Sequence, residues 1–163
     1  MLNLYRKNGV TLVTLIAVIM VSIILTSTIV ISYSSFKTNA RKRAFATEIY
    51  TIQIQLEQYK LRNNEYPIKS EVEFNLSDLD SDFVSIVSDL NEEIDEGRVK
   101  LYTIDLSKLD IESVSRGAKK DGDLDIYAYS KKTGKLYYVN GEEIENSNYY
   151  YLNDELYNLL KIK

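Results

Sequence analysis

Polar and apolar positions divide this chain into three patterns. Residues 10–36 carry no charged side chain and are dominated by Val, Ile and Leu. Beyond them, Phe45, Ile49, Ile52, Leu56 and Tyr59 recur at intervals of 4, 3, 4 and 3, one stripe along a helix. Glu48, Gln53, Gln55, Glu57, Lys60 and Arg62 fill the remaining faces. No Pro or Gly falls between Val10 and Asn63, so a single helix is predicted over 10–63, about 80 Å long at helical rise. A heptad stripe also suits a coiled coil, but only two heptads are visible and strand signals follow. Packing onto that strand-rich region is the expectation.

The exit of the helix is written in "LEQYKLRNNEYP", residues 56–67. Asn63-Asn64 suits a helix end, and Pro67, the only proline, pushes Tyr66 out of helical geometry. Further on, Leu76, Leu79, Phe83, Val87 and Leu90 predict a short amphipathic helix capped by Ser77 or Asp78. "RVKLYTIDL" (98–106) predicts a strand, and "LDIYAYSKKTGKLYYV" (124–139) a hairpin turning at Thr133-Gly134. A further turn is expected at Asn140-Gly141, leading to Glu143-Ile144. A strand over 148–152 and a last helix capped by Asn153 complete the reading. The fold class expected is α+β, with a small, mainly antiparallel sheet packed on the long helix.

Charge changes the picture. No Asp or Glu precedes Glu48, whereas residues 44–163 hold 14 basic against 24 acidic residues, a balance of −10. So acidic a region is not expected to bind nucleic acid. The uncharged run exceeds the roughly 20 residues that a bilayer core demands. It is also longer than the apolar core of a cleaved secretory signal, about 7–15 residues. A retained membrane helix is expected.

Ahead of that run, a nine-residue polar leader with Arg6 and Lys7 ends in Gly9, directly before Val10-Thr11-Leu12-Val13-Thr14-Leu15. This resembles the class III leader of type IV pilins and type II secretion pseudopilins. The Tyr-Pro pair after a polar turn is similar to the exit segment of many pseudopilins. "KTGKLYYVNGEEI", followed by a Tyr-rich strand, looks like the end of pilin-like proteins from Gram-positive, clostridial-type bacteria. The resemblance implies a pilin-like fold with leader 1–9, membrane and assembly half 10–36, amphipathic half 37–63 and globular head 64–163. It also implies cleavage by a prepilin peptidase between Gly9 and Val10, methylation of the new Val10 amine, and assembly with other pilin or pseudopilin subunits. That assembly would run on an inner-membrane platform, within membrane lipid, with the head outside.

Where the family carries Glu at the fifth mature position, this chain has Thr14. A carboxylate there pairs with a neighbouring subunit's terminal amine, which is costly to leave alone in lipid. A Thr hydroxyl bonds a backbone carbonyl one turn back but neutralises no amine. Two readings stay open: a divergent minor subunit that dispenses with the carboxylate, and a tip subunit with none above it.

Candidate chemistry is sparse. The chain has no Cys and no His, which removes disulfides, the usual zinc ligands and triad chemistry. Asp121, Asp123 and Asp125 alternate in "DGDLD" and invite a calcium reading, but an EF-hand would need Gly at Ile126 and Glu at Lys132. A solvated acidic turn is the expectation there, with calcium as the alternative. No carboxylate pair is marked by spacing, no phosphate-binding loop or repeat is present, and no cofactor or enzymatic activity is expected. Adhesion through Tyr149, Tyr150 and Tyr151 conflicts with strand alternation, which turns at least one of them inward. A single-pass membrane protein with an acidic extracellular binding or sensor domain is the alternative. Lys37, Arg41, Lys42 and Arg43 on the far side of the run, weighed by charge alone, would hold that side in the cytoplasm.

Overall fold

Three helices and one sheet share the apolar positions of residues 41–163, and the alternation along each strand decides which side each residue serves. The computed structural model describes residues 3–111, 114–117 and 124–161; within the first helix, the side chains of residues 3–11, 13, 24–32 and 34 fall outside that description. The chain divides into two compact units, residues 1–40 and 41–163. The described residues form an α+β protein with a six-stranded antiparallel sheet.

Helix α1 spans Asn3–Asn63 without a break. In the first unit its described apolar side chains, Leu12, Leu15, Ile16, Val18, Ile19 and Ile23 among them, are exposed. Ser22 Oγ donates to Val18 O at 2.8 Å, so a hydroxyl in this run is satisfied by its own helix. Among the described residues no helix is long and apolar enough to cross a membrane. The apolar run of residues 10–36 includes residues 24–32, whose side chains are not described.

In the second unit the stripe of α1 is buried: Phe45, Ile49, Ile52 and Leu56 have no exposed surface. The helix ends as its sequence directs. Asn64 takes φ 59°, and its N–H donates to Lys60 O at 2.7 Å, a left-handed cap that asparagine tolerates.

The sheet order is β1 (Ile68–Asn75), β3 (Arg98–Ile104), β4 (Tyr127–Tyr129), β5 (Leu136–Ile144) and β6 (Ser147–Tyr151), with the short β2 (Ile94–Asp95) also pairing with β3. Residues of one parity, including Tyr127, Tyr129, Tyr138 and Tyr149, face α1 and Leu156 of α3 (Asp154–Lys161). Those of the other parity, including Val99, Leu101, Tyr137 and Tyr150, face Phe83 and Val87 of α2 (Ser81–Asp89). Both faces are therefore covered. That is why Tyr149 and Tyr150 are both buried, one on each side, and only Tyr151 of the three is half-exposed.

Four details depart from the sequence expectation. The segment after β1 forms a 3-10 turn over Leu76–Asp78 before α2 begins, and the α2 cap is Asp80, whose Oδ1 accepts from Asp82 N at 2.8 Å. Ser77 and Asp78 are one turn too early, because Leu76 and Leu79 pack from the 3-10 turn. The strand expected over 98–106 stops at Ile104 and gives way to a 3-10 turn, Leu106–Lys108. Asn140-Gly141 is no turn: β5 runs through it, and the register skips between Tyr137 and Glu142. Gly141 takes φ 71° in this bulge, and a Cβ there would lie 2.6 Å from the Tyr150 ring. Strand β1 was not expected at all.

Two expectations hold. The hairpin closes at Gly134, where Ser130 N–H donates to Lys135 O at 2.9 Å. Asn153 caps α3, its Oδ1 accepting from Leu156 N at 2.9 Å.

Candidate functional site

Gly9, Val10 and Thr14 lie within α1, in the unit of residues 1–40. Gly9 sits inside this helix, where glycine is less favourable than alanine by roughly 0.5–1 kcal/mol. Of the three alternating aspartates, Asp121 and Asp123 lie outside the described residues. Asp125 Oδ1 accepts from Gly117 N at 3.0 Å and from the Tyr138 hydroxyl at 2.7 Å. Burial, and then this carboxylate, push Tyr138 up to about 12. Among the described residues no group of three carboxylates is arranged to hold a metal ion.

The densest polar constellation centres on Glu48 of α1, which sequence reading placed merely on the polar face. Its Oε1 accepts from Ser115 N and Arg116 N, each at 3.1 Å, and from the Tyr127 hydroxyl at 3.0 Å. Its Oε2 accepts from Ser115 Oγ at 2.9 Å and Arg116 Nη1 at 2.7 Å. Arg116 Nε reaches Glu142 Oε2 at 2.9 Å, and Arg41 Nη2 reaches Glu142 Oε1 at 3.1 Å. The guanidinium of Arg116 also stacks over Phe45, 5.3 Å from the ring centroid. Burial works against the Glu142 charge, but Arg116 and Arg41 outweigh it and hold this carboxyl below the usual carboxylate range. Burial, and then the Glu48 charge, push the Tyr127 phenol well above its ordinary value. The only sequence sign of this site is an acid beside the apolar stripe, three residues after Phe45 and four before Ile52.

A second carboxylate, Glu92, is 5% exposed and accepts from Ser130 Oγ and Thr133 Oγ1, both at 2.5 Å, and from the Tyr137 hydroxyl at 2.6 Å. Ser130 is itself buried, and its Oγ also accepts from Lys132 N and Thr133 N, each at 3.2 Å. The contact ties the chain after α2 to the β4–β5 turn. Both constellations join distant segments, and every oxygen named is occupied by a protein donor. Their geometry suits fixing the fold.

A cleft of about 500 Å³ opens beside β1, with Val72 and Phe74 on one wall and Leu79, Leu124 and Ile126 on the others. Compared with known proteins, the chain matches no family model, no curated protein and no solved structure.

Proposed function

We propose that the chain is a non-enzymatic minor pilin or pseudopilin, a structural subunit of a type IV pilus or a type II secretion-like fibre. The observation that carries this reading is the basic leader ending in Gly9 immediately before the uncharged run of residues 10–36. A prepilin peptidase cuts between Gly9 and Val10, the Val10 amine is methylated, and the apolar helix stays in the mature product. Exposed apolar side chains on the described part of that helix support the reading, since such a surface needs lipid or other subunits' helices around it. So does the burial of the amphipathic half of α1 against an antiparallel sheet. The work of the subunit is mechanical: helices pack to hold the fibre, and an ATP-driven membrane platform inserts or extracts subunits, leaving the head outside the membrane.

Thr14 favours one other reading, a single-pass membrane protein with an acidic extracellular binding or sensor domain, because it lacks the assembly carboxylate. N-terminal sequencing after co-expression with a prepilin peptidase separates the two. The pilin reading expects a product beginning at Val10, and its loss in a Gly9→Leu variant. A chain that keeps residues 1–9 under both conditions belongs to the other class. Protease digestion of the head on intact cells tests its placement outside.

A further inference from the structure

We propose that Asn140 is a modification site: in the folded chain the backbone nitrogen of Gly141 attacks its side-chain amide and converts it to aspartate and isoaspartate. Asparagine is a thermolabile residue, and a following glycine leaves the attacking nitrogen unshielded by a side chain. The chain has two Asn-Gly pairs, Asn8-Gly9 and Asn140-Gly141, and the structure separates them. Gly9 lies within α1, where its N–H belongs to the helical ladder. Asn140 is exposed and sits where β5 bulges. The register of β5 with β6 skips from Tyr137 to Glu142, and its register with β4 ends at Tyr138. Neither Asn140 nor Gly141 therefore has a register partner in the neighbouring strands. The Tyr150 ring fills the place of a Cβ at Gly141, which has φ 71°, so the bulge favours glycine here.

The conversion needs only water as co-reactant. Gly141 N loses its proton to solvent and bonds to Asn140 Cγ. The Cγ–Nδ2 bond breaks, and Nδ2 takes up a proton and leaves as ammonia, giving a cyclic imide. Water then opens the imide at either carbonyl. One opening yields aspartate; the other yields isoaspartate, with the main chain rerouted through Cγ. Both products carry a new carboxylate. Asn140 lies beside the Tyr138 hydroxyl, which donates to Asp125 Oδ1 at 2.7 Å. The new charge therefore stands close to that of Asp125, and like charges repel more strongly the closer they are. Conversion loosens the tie between β5 and the segment before β4.

The test follows the full chain in detergent micelles and mildly alkaline buffer by peptide mapping and isoaspartate detection over time, beside a sample unfolded in guanidinium chloride. Reaction through global unfolding alone would lower the rate by the folding equilibrium constant, roughly 10³ or more. The bulge is expected to keep the folded rate at Asn140 within about tenfold of the unfolded one. In the folded chain Asn8 is expected to convert more slowly than Asn140. Asn140→Gln, which sets the amide one methylene further out, is expected to silence the signal. Asn140→Asp is expected to lower the denaturation midpoint, and an unchanged midpoint overturns the loosening. The proposal is overturned if Asn140 stays intact in the folded chain while it converts in the unfolded one, or if Asn8 converts as fast. Persistence of the mass change in Asn140→Gln, which would place it on Asn146 or Asn148, also overturns it.

Discussion

Glu48 Oε2 and Arg116 Nη1 lie 2.7 Å apart, joining two positions separated by 68 residues, and Arg116 reaches on to Glu142 with its Nε. Both side chains of the closer pair are mostly buried, with 10% and 17% of their surfaces exposed. Removing one member of a buried pair leaves the other desolvated and alone. Arg116→Met is therefore expected to destabilise the head by about 3 kcal/mol, measured by urea denaturation. Adding Glu48→Gln to that variant is expected to recover part of the loss, since a neutral amide no longer needs the cation.

The pH dependence has two edges. Glu142, and Glu155 beside Lys42, are held below their ordinary values in the folded chain. Their contribution is complete above the unfolded carboxylate value, about 4.3, and is lost as pH falls through the lowered folded values. Tyr127, Tyr137 and Tyr150 are raised by burial, Tyr138 to about 12, and Lys42 to about 12 by its bond to Glu155. Groups raised in the folded state stabilise fully below their unfolded values, about 10 for tyrosine, and that share is lost as pH climbs through the folded ones. Circular dichroism is expected to show a plateau between these limits, with tyrosinate absorbance rising together with alkaline unfolding.

Three glycines with positive φ give a graded series. At Gly141 a Cβ meets the Tyr150 ring at 2.6 Å, at Gly134 it meets only the Tyr129 hydroxyl at 3.8 Å, and at Gly97 it meets nothing within 4 Å. Alanine at Gly97 or Gly134 is expected to cost about 1 kcal/mol of backbone strain. Gly141→Ala is expected to exceed both, at about 3 kcal/mol, because the ring must also move. Thermal unfolding of the three variants provides the ranking.

Gln55 Oε1 on α1 is buried with no hydrogen-bond partner among the described residues. An unpartnered buried acceptor carries a desolvation penalty, so Gln55→Met, similar in length, is expected to stabilise the head by about 1 kcal/mol. A lowered denaturation midpoint in this variant would show that the amide oxygen is satisfied.

Much of this architecture was legible where burial is one-sided and local. The stripe from Phe45 to Leu56, the Asn63-Asn64 exit, the Thr133-Gly134 hairpin and the Asn153 cap each arise from neighbours within a few residues. Strand β1 escaped notice because Lys69, Glu71 and Glu73 dominate it and only Val72 and Phe74 mark its inward face. The α2 cap was misplaced because Leu76 and Leu79 continue the helical spacing although they belong to a 3-10 turn. At Asn140-Gly141 the residues suit a tight turn equally well, and only the Tyr150 ring across the strand pair makes them a bulge. Of the polar constellations the sequence showed almost nothing, since Glu48 and Arg116, or Glu92 and Tyr137, meet only after the sheet has formed.

The neighbouring rings of Tyr149 and Tyr150 plug two separate interiors from one edge strand of the sheet. Neither side of the sheet is closed until β6 has paired with β5. A head whose β6 has come away bares greasy surface on both sides at once, so fraying of this single strand is enough to make it stick to its neighbours.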